Sequence, residues 1–238
     1  VVDTQNFQAK VILEGNTLEE AAQHAHKIAE AEGLIFVHPF NDEHIIAGQG
    51  TVALEMLAAE PDLDCIVAPI GGGGLIAGVA TAAKSIKPDI KIIGVQVAGY
   101  PGTYDAIYGD SGIQGGSTIA EGIAVKAPGK LTMEVIDRLV DDVIVVSEEA
   151  IEEAISLLVN IEKTVTEGAG ASCLAAVLSN QEVFANQKTA LILSGANIDT
   201  RILASVLMRR LVKKGRIVRY KIRIDDSPGT LSSVSAAV

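Results

Sequence analysis

Four consecutive glycines at positions 71–74 are the residues of this sequence whose type and spacing best indicate chemistry. They follow an apolar run and precede a segment with helical periodicity. Glycines leave backbone N–H groups unobstructed and accept positive φ angles, and the N-terminus of the following helix adds a partial positive charge. The loop therefore predicts an anion cradle with a phosphate as its ligand. A glycine-rich connection that only brings a helix and a strand together is the alternative.

Two nucleotide-binding motifs contain comparable loops, and the sequence fits neither of them well. A P-loop requires a lysine and a hydroxyl residue in register after the glycines, and both are missing here. Gly72, Gly74 and Ala77 match the permissive GxGxxA form of the dinucleotide fingerprint. The acidic residue expected about 20 positions later is absent, because residues 95–97 are Val-Gln-Val.

Composition limits the class of protein to which this loop belongs. The 238 residues are 48% hydrophobic and 21% charged, which is typical of a globular protein of two domains or parts of them. A net charge of −11 with no cluster of Lys or Arg argues against nucleic-acid binding. Residues 65–83 are uncharged, but Pro69 and the glycines would break a membrane-spanning helix. Two cysteines without ligand or disulfide spacing predict a cytoplasmic protein.

Apolar runs that alternate with helical periodicity predict the elements that position the loop. Strands are expected at 9–13, 34–37, 65–68, 91–97, 142–146 and 189–193, and helices at 18–31, 44–58 and 200–214. Thr17 and Glu20 would form a capping box at the start of the first of these helices. Continuous apolar strands separated by helices predict an α/β fold, in which mostly parallel sheets are covered by helices.

The C-terminal residues follow a different pattern. Residues 217–224 alternate apolar and basic side chains, as a half-exposed strand of an antiparallel sheet does. The Asp-Ser-Pro-Gly sequence at 226–229 predicts a turn, and Leu231 begins a second helical segment. A further domain is therefore expected to begin near Arg216, and one strand with a partial helix is too little to fold alone.

Four motifs together resemble the threonine/serine dehydratase branch of the fold-type II pyridoxal-phosphate enzymes, which have a tryptophan synthase β-like fold. They are PIGGGGLIAG at 69–78, TIAEG at 118–122, EGAGA at 167–171 and SGAN at 194–197. The final residues resemble the opening of an ACT regulatory domain. The resemblance implies the remainder of a small βαβ-type subdomain at 1–40, a large cofactor-binding domain at 41–214, and a truncated ACT-like domain at 216–238.

The resemblance also implies residue roles around pyridoxal 5′-phosphate. Ser194 would contact the pyridine nitrogen, where a hydroxyl leaves that nitrogen largely unprotonated and so favours β-elimination. Capping of the helix that follows is the alternative role for Ser194. The motifs bring Glu121 and Glu167 towards the pocket, although carboxylates beside glycines are usually solvated or cap helices. The cradle for the 5′-phosphate would consist of Gly71, Gly72, Gly73, Gly74 and Leu75.

Some residues expected from the family are absent. Gln96 stands where serine-racemase-like relatives have an acidic cation ligand, and an amide is a poorer ligand, so we expect no metal there. The histidines at 24, 26, 38 and 44 have no metal-ligand spacing and are expected to be surface or structural residues. The family's Schiff-base lysine lies in a Ser-Phe-Lys-x-Arg-Gly type of motif that this sequence lacks. We therefore expect an inactive internal fragment without the catalytic lysine, truncated again inside the ACT-like domain.

The resemblance implies that the parent protein is an ammonia-lyase that converts L-threonine, and L-serine, to a 2-oxo acid and ammonia by β-elimination. Its expected partners are a small amino-acid substrate, an amino-acid effector at the ACT-like domain and further copies of itself in a homo-oligomer. Serine racemase and hydroxyaspartate dehydratase are alternatives, because the motifs bind the cofactor and do not select the substrate. A non-catalytic amino-acid sensor is an alternative from another class, because the lysine motif is missing.

Overall fold

The computed structural model describes residues 2–15, 18–109, 111–113, 115–218, 221–224 and 226–237. The strands are β1 (Cys65–Pro69), β2 (Lys91–Val97), β3 (Asp142–Val146) and β4 (Thr189–Leu191). They form one parallel sheet in the order β3-β2-β1-β4. Cys65 of β1 is opposite Lys91 on one side and Thr189 on the other. The strands predicted at 65–68, 91–97, 142–146 and 189–193 are confirmed, and β4 is two residues shorter than expected.

Helices cover this sheet and connect its strands. In chain order they are α1 (Val2–Asn6), α2 (Leu18–Glu32), α3 (Glu43–Ala59), α4 (Gly74–Ile86), α5 (Gly102–Tyr108), α6 (Lys130–Leu139), α7 (Glu148–Leu157), α8 (Gly168–Ser179), α9 (Gln181–Phe184), α10 (Thr200–Lys213) and α11 (Thr230–Ala237). A 3-10 turn (Glu121–Ile123) precedes α6, and a π-helical turn (Leu158–Glu162) follows α7. The predicted helices at 18–31, 44–58 and 200–214 are confirmed to within one residue at each end.

The sheet has an apolar core on each of its two faces. All five residues of β1 are buried, and alternate residues face opposite cores. Ile66 belongs to the core shared with α3, α4 and α6, whereas Val67 belongs to the core shared with α7 and α8. Burial on both faces explains why the strands read as continuous apolar runs. The predicted α/β class with a parallel sheet is confirmed.

Close packing of α3 on α4 fixes the helix that follows the glycine loop. A Cβ atom added to Gly78 would lie 2.2 Å from the carbonyl oxygen of Ile46. One added to Gly50 would lie 3.0 Å from the carbonyl oxygen of Gly78. Because neither glycine has a side chain, the two helix backbones approach closely, and α3 holds α4 in place next to β1.

The strands expected at 9–13 and 34–37 do not form. Both segments lack regular secondary structure, and the side chain of Ile35 is 92% exposed. A strand needs a neighbour that takes up its backbone hydrogen bonds, and within the described residues the sheet contains only β1 to β4. Apolar composition alone was therefore insufficient evidence for a strand. Thr17, the expected helix cap, lies outside the described residues.

The C-terminal residues fit the prediction in part. The described residues between 217 and 224 form no strand, and Val218 is 61% exposed, so the strand expected here is also without a partner. The turn is present: the N–H of Thr230 donates to the carbonyl of Ser227, with Gly229 at a φ of +90°. Helix α11 then begins within one residue of the predicted start. Among the described residues, no helix is both long and apolar enough to cross a lipid bilayer.

Candidate functional site

The glycine loop lies between the carboxyl end of β1 and the first turn of α4. Gly73 occupies the N-cap position of α4 with a φ of +94°, in the left-handed region that favours glycine. A Cβ atom at this position would also lie 2.8 Å from Oγ1 of Thr132. No side chain caps the N-terminus of α4 within the described residues. The positive end of a 13-residue helix therefore faces the loop, without the side-chain oxygen that usually satisfies it.

The loop and Ser194 line a single cavity of about 400 Å³. Ser194 follows β4, which is the direct neighbour of β1 in the sheet. The carboxyl ends of parallel neighbours lie at the same edge of a sheet, where ligands of open α/β folds usually bind. The structure thus brings together all the residues named from the sequence as cofactor contacts, namely Gly71, Gly72, Gly73, Gly74, Leu75 and Ser194.

Ser194 does not cap the helix that follows it. Helix α10 begins at Thr200, and its N-cap is Asp199, whose carboxylate accepts from the N–H groups of Arg201 and Ile202. The alternative role considered for Ser194 is therefore wrong. Its exposed hydroxyl belongs to the lining of the cavity.

Three residues that were not recognised in the sequence hold the glycine loop. Oγ1 of Thr132 is 2.7 Å from the carbonyl oxygen of Gly72, to which it donates. The side-chain oxygen of Asn41 accepts from the N–H of Leu131 in the same helix as Thr132. The ring of Phe40 lies so close that a Cβ atom on Gly72 would be 2.2 Å from its Cγ. Single Phe, Asn and Thr residues form no sequence pattern, so only the tertiary contacts identify them.

The two acidic residues named from the sequence lie in different positions. Glu167 lines the cavity, and a Cβ atom on Gly195 would be 2.3 Å from its Oε1. Partial burial raises the pKa of Glu167, and the nearby carboxylate of Glu121 raises it further. Glu121 is exposed and, together with Glu167, lines a neighbouring cavity of about 900 Å³. Only Glu167 therefore reaches the cavity that contains the glycine loop.

Gln96 has a structural role at the end of β2. Its buried side-chain oxygen accepts from the N–H groups of Thr103 and Tyr104, at 3.0 and 2.9 Å, and so ties the first turn of α5 to the sheet. Its Nε2 atom is buried without a partner in the described part of the chain. No group of three His, Cys, Asp or Glu side chains suited to a metal ion occurs there either.

The histidines differ in their surroundings. His44 is exposed beside Asp42, the N-cap of α3. His26 stacks on Phe36, with 3.9 Å between the ring centroids. His38 accepts two backbone hydrogen bonds through Nδ1, next to the glycine loop.

A model of the family described as "Pyridoxal-phosphate dependent enzyme" matches residues 2–195 of the chain. The chain belongs to this family. The cofactor of these enzymes is pyridoxal phosphate, so the loop has to fit a phosphate monoester. The residues present do fit it: glycines leave no side chain in the loop, and the uncapped N-terminus of α4 favours a dianion.

Characterised relatives and solved structures agree with this assignment. The chain is 44% identical over its whole length to an L-threonine ammonia-lyase of Thermotoga maritima and 42% identical to one of Geobacter sulfurreducens. It spans 60% of the length of each of these relatives. A threonine deaminase isoform of Solanum lycopersicum has a TM-score of 0.79 and 33% identity, covering 87% of this chain and 58% of its own. Maize serine racemase has a TM-score of 0.78 and 34% identity, covering 88% and 67%.

Proposed function

We propose that this chain is the cofactor-binding part of an ammonia-lyase that converts L-threonine, and L-serine, to a 2-oxo acid and ammonia by β-elimination. The observation that carries the proposal is the single cavity in which the glycine loop meets Ser194. The names of the relatives from Thermotoga maritima and Geobacter sulfurreducens support threonine as the substrate. The chain by itself is expected to be inactive, because its sequence lacks the lysine motif.

Each residue of the cavity has a distinct part in the proposed site. Backbone N–H groups of residues 71–75 would bind the 5′-phosphate, and the hydroxyl of Ser194 would lie at the pyridine nitrogen. Bound pyridoxal phosphate supplies the electron sink for breaking the bond to the α-proton. A hydroxyl holds the nitrogen proton less firmly than a carboxylate would, which weakens that sink and favours elimination. Leu75 closes the cradle at the first turn of α4.

The proposal includes the organisation of the parent protein. Residues 1–40 would complete a small subdomain, residues 41–214 form the large cofactor-binding domain, and residues 216–238 begin an ACT-like domain. An amino-acid effector at that domain and a homo-oligomer in the cytoplasm complete the proposal. Helix α10 supports the arrangement, because it runs directly from the loop after Ser194 to the first residues of the ACT-like segment.

Serine racemase activity is the second candidate function, and the similarity to maize serine racemase favours it. Hydroxyaspartate dehydratase activity and amino-acid sensing without catalysis are further alternatives. The cavity residues would bind the same cofactor in each of the enzymes, so the products formed from L-threonine and L-serine distinguish these activities.

The test uses the full-length parent protein loaded with pyridoxal phosphate. Incubation with L-threonine should yield 2-oxobutanoate and ammonia in equal amounts, and L-serine should yield pyruvate. Chiral analysis of the remaining serine measures racemisation in the same samples. Formation of D-serine without 2-oxo acid would replace the lyase by the racemase. A folded protein that binds amino acids but no pyridoxal phosphate would support the sensor.

A further inference from the structure

A row of four rings connects helix α2 with the glycine loop. Its members are His26, Phe36, His38 and Phe40, and the successive ring centroids are 3.9, 6.2 and 4.7 Å apart. The last two contacts are edge-to-face, which is a favourable geometry for aromatic rings. The row ends at the wall of the cavity, because Phe40 is one of its lining residues.

His38 shapes the turn at the end of this row. Its Nδ1 atom accepts from the N–H of Phe40 at 3.2 Å and from the N–H of Asn41 at 2.8 Å. Asp42 makes the same pattern four residues later, where its carboxylate accepts from the second and third N–H groups that follow it. His38 thus acts as Asp or Asn side chains do at turns and helix N-caps. An imidazole nitrogen accepts through its lone pair, so the turn requires a hydrogen-bond acceptor at this place.

The turn set by His38 holds the glycine loop from two directions. Phe40 contacts the loop directly, since Cβ atoms added to Gly72 and Gly74 would lie 2.2 and 3.0 Å from its atoms. Asn41 acts through the start of α6, where its side chain accepts from the N–H of Leu131. The neighbouring N–H of Gly129 and the hydroxyl of Thr132 both donate to the carbonyl of Gly72.

A loop of four glycines needs such contacts. Glycine loses more conformational freedom on ordering than any other residue, and a loop that orders only when its ligand arrives has a lower affinity. The contacts of Phe40 and Thr132 restrain Gly72 without any ligand. Their effect depends on the turn at residues 39–41 keeping its conformation.

We infer that His38 is a positioning residue for the anion cradle: through Nδ1 it fixes the turn that places Phe40 against the glycine loop and Asn41 against the start of α6. The inference rests on the proposed function only in taking residues 71–75 as the phosphate site. The side chain of His38, which lies outside the family motifs, thereby contributes to cofactor affinity. The ring contributes as a hydrogen-bond acceptor, so another side chain with an acceptor at the same place should replace it.

The test measures the affinity of the cofactor-free full-length protein for pyridoxal phosphate by fluorescence titration. His38→Leu should bind about tenfold more weakly or worse, because two backbone donors lose their acceptor and the turn loosens. His38→Asn should restore most of the affinity, because the asparagine oxygen accepts the same two N–H groups. His26→Leu is the matched control: it removes a ring from the same row, and the side chain of His26 makes no hydrogen bond to the described residues. Its affinity should be unchanged.

Two further measurements separate positioning from general stability. Thermal unfolding of the cofactor-free variants shows whether His38→Leu is only less stable, since a structural role would lower the melting temperature without weakening binding by the folded protein. Hydrogen exchange should become faster at residues 72–75 in His38→Leu and not in His26→Leu. Equal affinity in His38→Leu and the wild type, or equal losses in the Leu and Asn variants, would overturn the inference. A wild-type protein that binds no pyridoxal phosphate would overturn the proposed function instead, and the exchange rates would then still test His38.

Discussion

The cavity is lined by backbone atoms at the end formed by the glycine loop and by side chains at the end formed by Ser194 and Glu167. At the glycine end the backbone forms the surface, and Gly72, Gly73 and Gly74 are buried against Phe40 and Thr132. At the other end the surface is made of side chains, and Ser194 is exposed while Glu167 is half-buried. At the glycine end an added side chain would clash with its neighbours. At the Ser194 end a side chain can be replaced by another without a change in packing. This difference determines how mutations at each end should act.

The strongest test of the shape-determined end is Gly73→Asp. We expect the affinity for pyridoxal phosphate to fall by about a hundredfold or more, because the side chain would meet Thr132 and bring a negative charge to a dianion. Gly109→Asp is the control, since Gly109 also has a positive φ, of +104°, and an added Cβ atom there would meet no described residue within 4 Å. Fluorescence titration of both variants measures the difference. Equal affinities in the two variants would show that the glycine loop is not the phosphate site.

Ser194→Ala tests the opposite end. Removing the hydroxyl leaves the glycine loop untouched, so cofactor occupancy should stay nearly unchanged. Turnover of L-threonine by the full-length enzyme should fall by about tenfold or more, because one hydrogen bond at the reacting ring is lost. Both quantities are measured on one preparation, with Ser205→Ala, in α10, as the matched control. Equal losses in occupancy and turnover would place Ser194 in cofactor retention rather than in catalysis.

Thr132→Val tests how much the hydrogen bond to Gly72 contributes to the glycine end of the cavity. The change keeps the shape of the fully buried side chain but removes the hydrogen bond to the carbonyl of Gly72. We expect a loss of about 1–3 kcal/mol in the free energy of unfolding and a severalfold lower cofactor affinity. Thr81→Val removes a hydroxyl that donates to the carbonyl of Ala77 in the preceding turn of α4, and it should have a smaller effect on both quantities. Urea denaturation and fluorescence titration provide the two values.

The comparison also explains how far the sequence could predict the site. The glycine end was found because four glycines between a buried strand and a helix form a local pattern. Ser194 came from a family resemblance, and its place beside the loop depends on the pairing of β1 with β4. Phe40, Asn41 and Thr132 were missed, because their contacts join segments far apart in the sequence.

The strands were predictable where a neighbouring strand and covering helices were available. The strands predicted at 65–68, 91–97 and 142–146 form, because each pairs with a neighbour and is covered by helices. The segments at 9–13 and 34–37 have similar composition but no such neighbour among the described residues. Sequence periodicity identifies the side-chain pattern of a strand, whereas its backbone hydrogen bonds depend on another segment.

The smallest effect is expected from Glu121→Gln, which removes a charge near Glu167 and leaves the packing of the cavity unchanged. The pKa of Glu167 is raised first by partial burial and then by the carboxylate of Glu121. A carboxyl group with a raised pKa is harder to ionise in the folded protein than in the unfolded chain, so its ionisation destabilises the fold as the pH rises from about 4.3 through the raised pKa.

Neutralising Glu121 should lower the pKa of Glu167 and make this loss of stability smaller, while leaving stability at still lower pH unchanged. The exposure of Glu121 limits the effect, which should decrease further with added salt. Urea denaturation at several pH values, compared with the exposed Glu55→Gln, measures it. Cofactor affinity should not change, because the glycine end is held by contacts that do not include either carboxylate. A shift of that affinity with Glu121→Gln would mean that the two ends are coupled, and the division of the cavity into independent ends would be wrong.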